Sequence, residues 1–124
     1  MNWGSHPINL ALRFGLELMM LYGFGRWGWS RPDAGIGRYV LALAVPLVAA
    51  TLWGVFAVPD DPSRSGNAPI PTPGSLRLVL EIALFALAVG ALYLSNASRT
   101  ALALALLAIA HYSTSVDRIT WLLK

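Results

Sequence analysis

Leu12-Arg13-Phe14-Gly15-Leu16-Glu17-Leu18 returns later in the chain in nearly the same form, as Leu76-Arg77-Leu78-Val79-Leu80-Glu81-Ile82. Both stretches follow the pattern Leu-Arg-x-x-Leu-Glu-aliphatic, and both lie near the start of a long apolar run. An arginine and a glutamate four residues apart lie on one face of a helix. Ionisable groups are costly inside a bilayer, and there they are candidates for function. The repeat therefore predicts two related helices, each with a buried Arg–Glu pair.

The composition indicates a membrane protein. The chain has 124 residues, enough for one domain, of which 56% are hydrophobic and 12% charged; a soluble domain carries about 25% charged residues. The nine basic residues do not cluster but punctuate the apolar runs, as anchors at helix ends do. This spacing argues against nucleic-acid binding. Cysteine is absent, so disulfides and thiolate chemistry are excluded.

The apolar runs predict an all-α, integral membrane protein. A helix needs roughly 20 residues to cross the hydrocarbon core. The connections are short apart from one proline-rich loop, which favours an up-down antiparallel four-helix bundle that forms a single transmembrane domain over residues 1–124. We expect helices at about 8–29, 39–58, 76–94 and 100–123, with the proline-rich loop at 59–74.

The repeat also predicts how the helices are related. With two spans in each unit, the first and third helices run in the same direction, so the two helical hairpins are parallel repeats about an axis along the membrane normal. Glu17 and Glu81 then lie roughly 13 and 9 Å into their spans and could face each other. The fourth helix brings His111 towards the same level from the other side, roughly 16 Å in.

These residues define a candidate buried polar site, and two interpretations of it remain open. In the first, Arg13 and Arg77 extend to the near interface and neutralise the glutamates, which locks the helix register. In the second, the carboxylates form a coupled pair that binds a cation, carries a proton or acts as a general acid. The candidate site comprises Glu17, Glu81, Arg13, Arg77 and His111, surrounded by Asn9, Thr114, Ser115, Asp117 and Arg118.

Other site types are not expected. His111 lacks a second histidine at metal-ligand spacing, so neither a metal site nor a cofactor is predicted. The tryptophans mostly fall at the ends of the predicted spans and are interpreted as anchors at the membrane interface, and Trp53 is assigned the same role.

The chain resembles a known family. Four parts of the sequence are similar to the YrdB family, the DUF2568 proteins. They are the stretch Asn9 to Leu18, the sequence Gly25-Arg26-Trp27-Gly28-Trp29, the second helix with Pro46 and Trp53-Gly54-Val55-Phe56, and the repeated Arg77…Glu81. The similarity covers most of residues 9–107. It implies a small bacterial four-helix membrane protein, and it implies no activity.

Three functions from different classes are compatible with the sequence. The first is a transporter or channel subunit that handles protons or cations and that could assemble as a homo-oligomer. The second is an intramembrane enzyme on a lipophilic substrate, with Glu17 or Glu81 as the acid and His111 as the base. The third is a structural accessory subunit of a membrane complex. All three place the chain in the bacterial inner membrane, with the lipid bilayer as its partner. The distribution of arginines does not decide the orientation.

Overall fold

The fold is built almost entirely from helices. The computed structural model describes residues 7–31, 35–59 and 68–123. The helices are α1 (Pro7–Ser30), α2 (Ile36–Val55), α3 (Gly74–Leu94), α4 (Ser98–Thr114) and α5 (Val116–Leu122). Two short strands, β1 (Phe56–Ala57) and β2 (Ile70–Pro71), pair in parallel between α2 and α3.

Helices α1 and α3 form the centre of the arrangement. α1 packs against α2, α3 and α4, whereas α2 has little contact with α3 and lies at the edge. The core is apolar and comes from four helices: Leu16, Met20, Phe24, Ala49, Trp53, Leu84, Phe85, Ala88, Ala91, Leu92, Ala101 and Leu104.

Two of the helices are long and apolar enough to cross a membrane, α2 with 20 residues and α3 with 21. A third candidate arises if α4 and α5 are counted as one bent span. α1 is longer, with 24 residues, but Asn9, Arg13 and Glu17 lower its hydropathy. The described residues therefore contain two clear candidate spans, where the sequence predicted four.

The boundaries of the predicted second helix and the proline-rich loop differ in the structure. α2 ends at Val55 because the next residue, Phe56, leaves the helical region of backbone conformation and begins a strand. Its partner strand lies within the predicted loop, and α3 begins at Gly74. Residues 60–67 of that loop lie outside the described residues.

The predicted fourth helix is in fact two helices, which meet at an angle of 75°. Ser115 separates them with φ −104° and ψ 32°. Its hydroxyl donates to the carbonyl oxygen of His111 at 2.7 Å, and the Thr114 hydroxyl donates to the same oxygen at 2.9 Å. Serine and threonine side chains that bond to helix carbonyls in this way bend or interrupt helices. The run Ser113-Thr114-Ser115 is therefore the sequence feature behind the break.

The close approach of α1 to α2 yields a testable prediction. A Cβ atom at Gly28 would collide with the backbone of Leu41 and Ala42, whereas one at Gly15 would meet nothing within 4 Å. Gly28→Ala should lower the free energy of unfolding by about 1–3 kcal/mol, the usual cost of overpacking. Gly15→Ala should leave it unchanged or raise it by about 0.5–1 kcal/mol, because alanine favours helix over glycine. Unfolding of the detergent-solubilised protein, followed by circular dichroism, measures both, and equal effects would contradict the packing.

Candidate functional site

Glu81 lies at the centre of a buried charged cluster. Its side chain has no exposed surface. Oε2 accepts hydrogen bonds from Arg13 Nη2 at 2.9 Å, Arg77 Nε at 2.7 Å and Arg118 Nη2 at 2.8 Å. Oε1 accepts from Arg118 Nη1 at 2.9 Å and from the Tyr112 hydroxyl at 2.7 Å. Five donors thus point at a group with about four acceptor positions.

The three arginines come from three different helices. Arg13 belongs to α1, Arg77 to α3 and Arg118 to α5, and they are 3%, 0% and 2% exposed. Arg13 and Arg77 are therefore buried between the helices, and both neutralise Glu81, as the first interpretation expected for the second copy of the repeat. Desolvated guanidinium groups need acceptors nearby, and the Glu81 carboxylate accepts a hydrogen bond from each of the three. Arg13 Nε and Nη1 are buried with no hydrogen-bond partner among the described residues.

Trp53 belongs to this cluster and is not an interfacial anchor. It is only 8% exposed. The guanidinium carbons of Arg13 and Arg77 lie 5.0 and 4.6 Å from its ring centroid. Arginine over the face of an indole is a favourable cation–π arrangement. The predicted anchor Trp3 lies outside the described residues.

Arg77 also closes the end of α2. Its Nη1 donates to the carbonyl oxygens of Trp53 at 2.6 Å and Phe56 at 2.7 Å. The last carbonyls of a helix have no partner within the helix, so an arginine that reaches them satisfies buried acceptors. One side chain therefore joins α2 to α3.

The two copies of the repeat are not equivalent. In the second copy, Arg77 and Glu81 pair at 2.7 Å; in the first, Arg13 Nε lies 3.7 Å from Glu17 Oε1, because Arg13 turns across to Glu81. The Glu17 side chain is 25% exposed. The two carboxylates thus share one guanidinium and differ in burial. They do not form the symmetric pair that the repeat suggested, because α5 adds a third arginine to one side only.

A neutral polar network, in which Asn9 is the central residue, holds α4 to α1. Asn9 Nδ2 donates to Ser115 Oγ at 2.7 Å, and Asn9 Oδ1 lies 3.0 Å from His111 Nδ1 and 3.4 Å from Thr114 Oγ1. With the amide oriented this way, His111 carries its proton on Nδ1. Its Nε2 is buried and has no hydrogen-bond partner among the described residues.

The structure therefore brings most of the candidate residues into two adjoining groups. Glu81, Arg13, Arg77 and Arg118 form the charged cluster, and Asn9, His111, Thr114 and Ser115 form the neutral network. Asp117 is half-buried in the first turn of α5, with no bond to Glu81. Within residues 7–31, 35–59 and 68–123, no three His, Cys, Asp or Glu side chains come close enough to hold a metal ion.

Sequence reasoning missed Tyr112. Its hydroxyl bonds to Glu81, and its ring makes edge contacts with Phe85 and His111, with centroids 6.2 and 5.1 Å apart. The signal was its position next to His111, in the polar part of the fourth predicted helix.

Tyr112 also lines an apolar groove between α3 and the α4–α5 pair. The groove has a volume of about 760 Å³. From Leu78 to Val89 it follows α3 over eleven residues, roughly 16 Å. It is lined by Leu78, Ile82, Phe85, Ala86, Val89, Ala105, Ala108, Ile109, Tyr112, Ser113, Val116 and Ile119.

A family model described as a protein of unknown function, DUF2568, matches residues 11–109. The chain belongs to this family. It is 45% identical over 116 residues to the uncharacterized protein YrdB of Bacillus subtilis (strain 168), an alignment that covers 94% of each chain. No solved structure matches it.

The DUF2568 match contains only part of the site. Arg13, Trp53, Arg77 and Glu81 lie within it, whereas the bend at Ser115 and the third arginine, Arg118, lie beyond its end. The cluster is thus assembled from the matched segment and the short helix that follows it.

The charged cluster predicts that replacing Glu81 destabilises the protein much more than replacing Glu17. Glu81→Gln leaves three buried guanidinium groups without their carboxylate, and removing one partner of a buried ion pair costs about 3–5 kcal/mol. Glu17→Gln removes a long contact at a partly exposed side chain, where the loss should stay below about 1 kcal/mol. Unfolding of both variants in detergent tests this. Equal stabilities would mean that the cluster does not hold the helices together.

Proposed function

We propose that this chain is a multi-pass protein of the bacterial inner membrane that binds a lipophilic molecule in the groove between α3 and α4–α5. The observation that carries the proposal is the groove itself, whose apolar wall includes Tyr112, which donates a hydrogen bond to the buried carboxylate of Glu81.

The proposal includes four crossings in an up-down arrangement with two parallel hairpin repeats. α2 and α3 support it by their length and composition. α1 has the length, and its polar side chains Asn9 and Arg13 are buried towards the other helices. A helix whose polar groups face its neighbours can lie in hydrocarbon. α4, with 17 residues, would cross as far as the bend, after which α5 would lie closer to the plane of the membrane.

The groove has the properties of a binding site for a lipophilic molecule. Its volume of about 760 Å³ falls within the range of roughly 300–1,000 Å³ that is usual for small-molecule sites. Such sites are lined mainly by apolar side chains with a few polar groups that orient the ligand. Here the polar groups are Tyr112 and Ser113. The walls suit a hydrocarbon chain, and the Tyr112 ring contributes to them while its hydroxyl is bonded to Glu81.

The geometry favours binding over cation transport at Glu81. Each oxygen of this carboxylate already accepts at least two hydrogen bonds, most of them from guanidinium groups. A cation at the same oxygens would have to compete with three buried guanidinium groups that lie within 2.9 Å of them. If the chain handles protons or cations, the role falls to Glu17, whose side chain is 25% exposed.

The geometry also keeps the acid and the base of the enzyme alternative, Glu81 and His111, away from the groove. Glu81 lies behind Tyr112, and His111 is buried against Asn9. Neither is among the residues that line the groove. We therefore propose binding of a lipophilic molecule without assigning a reaction.

The test is a photocrosslinking experiment on the detergent-purified protein, with a palmitic acid that carries a diazirine near the end of its chain. Crosslinks should concentrate on the α3 and α4 residues of the groove. Ala86→Trp fills the groove and should reduce them to near background. Ala83→Trp is the matched control, since Ala83 is also exposed on α3 but does not line the groove.

Two outcomes would overturn the proposal. One is labelling spread equally over the exposed face of α2, for example at Leu43 and Leu47, which are 73% and 67% exposed. The other is labelling that Ala86→Trp and Ala83→Trp reduce to the same extent while both variants unfold like the wild type.

A further inference from the structure

A second pocket, of different chemistry, lies at the opposite end of the helices. From Glu81 to Ser95, the residue that follows α3, the helix rises by roughly 21 Å. There a polar pocket of about 380 Å³ forms between the end of α1 and the α3–α4 connection. It is lined by Tyr22, Arg26, Asn96, Ala97, Ser98, Arg99 and Thr100.

Arg26 is held in place in this pocket, which we call the basic pocket. Its Nε donates to the carbonyl oxygen of Ser95 at 3.0 Å, and its Nη1 donates to the Tyr22 hydroxyl at 3.2 Å. The first bond joins α1 to the residue that follows α3, and the second lies within α1. They also fix the plane of the guanidinium group before any ligand arrives, so less side-chain entropy would be lost on binding.

Arg99 supplies a second guanidinium group to the pocket, and its surroundings differ from those of Arg26. It is exposed in the first turn of α4, and it forms no hydrogen bond or ion pair with a described residue. Beside it, Ser98 and Thr100 bring two hydroxyl groups to the same pocket. The pocket thus combines two arginines with neutral donors.

Two further arginines mark this end of the protein as the level of the lipid headgroups. Arg31 lies over the ring of Trp27 at 5.3 Å, and Arg38 lies over Trp29 at 4.7 Å. Arginine and tryptophan concentrate where hydrocarbon meets water. In the membrane-spanning arrangement proposed above, the basic pocket therefore opens at the level of the lipid phosphate groups.

We propose that the basic pocket binds a phosphate ester, namely the headgroup phosphate of an anionic membrane lipid. Basic pockets between transmembrane helices recognise such headgroups. Guanidinium groups form strong, often paired hydrogen bonds with phosphate oxygens, and the hydroxyls of Tyr22, Ser98 and Thr100 can donate to the remaining ones. This inference rests on the membrane-spanning arrangement proposed above, and it does not depend on the apolar groove.

The experiment is native mass spectrometry of the detergent-purified protein with two lipids that have the same acyl chains, dioleoyl-phosphatidylglycerol and dioleoylglycerol. Wild-type protein should retain the first and not the second. Arg99→Gln should reduce retention by about tenfold or more, which corresponds to one charge-assisted hydrogen bond. Arg31→Gln is the matched control, because Arg31 lies at the same end but does not line the pocket.

A third arm identifies the source of the phosphate. Glycerol 3-phosphate that displaces the lipid at equal free concentration would identify a soluble phosphate ester as the ligand, and failure to displace it would identify the lipid; both results support a phosphate site. The proposed phosphate site would be overturned if the wild-type protein retained the two lipids equally. It would also be overturned if Arg99→Gln and Arg31→Gln retained dioleoyl-phosphatidylglycerol to the same extent. Because Arg99 is exposed and makes no bond to described residues, its replacement should leave folding intact, which a thermal unfolding curve checks.

Discussion

One buried carboxylate, that of Glu81, determines how the helices of this protein can be arranged. Three guanidinium groups from α1, α3 and α5 converge on it within 2.9 Å. A charge buried without a partner is far more costly than one in an ion pair, so none of these helices can move independently. The position of α5, which follows a 75° bend, is a consequence of this requirement, because Arg118 must reach back to the carboxylate.

The same interaction removes the symmetry that the repeated motif suggests. Both copies place an arginine and a glutamate on one helix face, but only the second glutamate is fully buried. Arg13 is drawn to Glu81 at 2.9 Å and leaves Glu17 at 3.7 Å. The first glutamate therefore stays partly exposed, and the two carboxylates differ in chemical environment although their local sequences are alike.

Tyr112 connects the charged interior to the apolar groove. Its hydroxyl bonds to Glu81, while its ring forms part of the groove wall. The rigid cluster behind it holds the ring, and a preorganised wall reduces the entropy lost on binding. The basic pocket at the far end is built on the same plan, with Arg26 fixed by Ser95 and Tyr22. In both places an ionic or polar anchor between helices positions the surface next to it.

Local features of the sequence predicted the largely helical character, two apolar helices long enough to cross a membrane and the family, and they named four charged residues that meet in the structure, Arg13, Arg77, Glu81 and Arg118. These follow from local properties: apolar runs of a given length, and arginine and glutamate at helical spacing. The sequence also contained Ser113-Thr114-Ser115, which explains the break in the last predicted helix, but a bend of 75° depends on what the following helix contacts. Three contacts follow from the packing of the helices and not from local sequence: Arg13 bonds to Glu81, Trp53 lies buried beside two arginines, and Tyr112 lies between the carboxylate and the groove. Each of these contacts joins residues more than 20 positions apart. Several side chains compete for the buried carboxylate of Glu81, and no local sequence pattern indicates which of them will reach this acceptor.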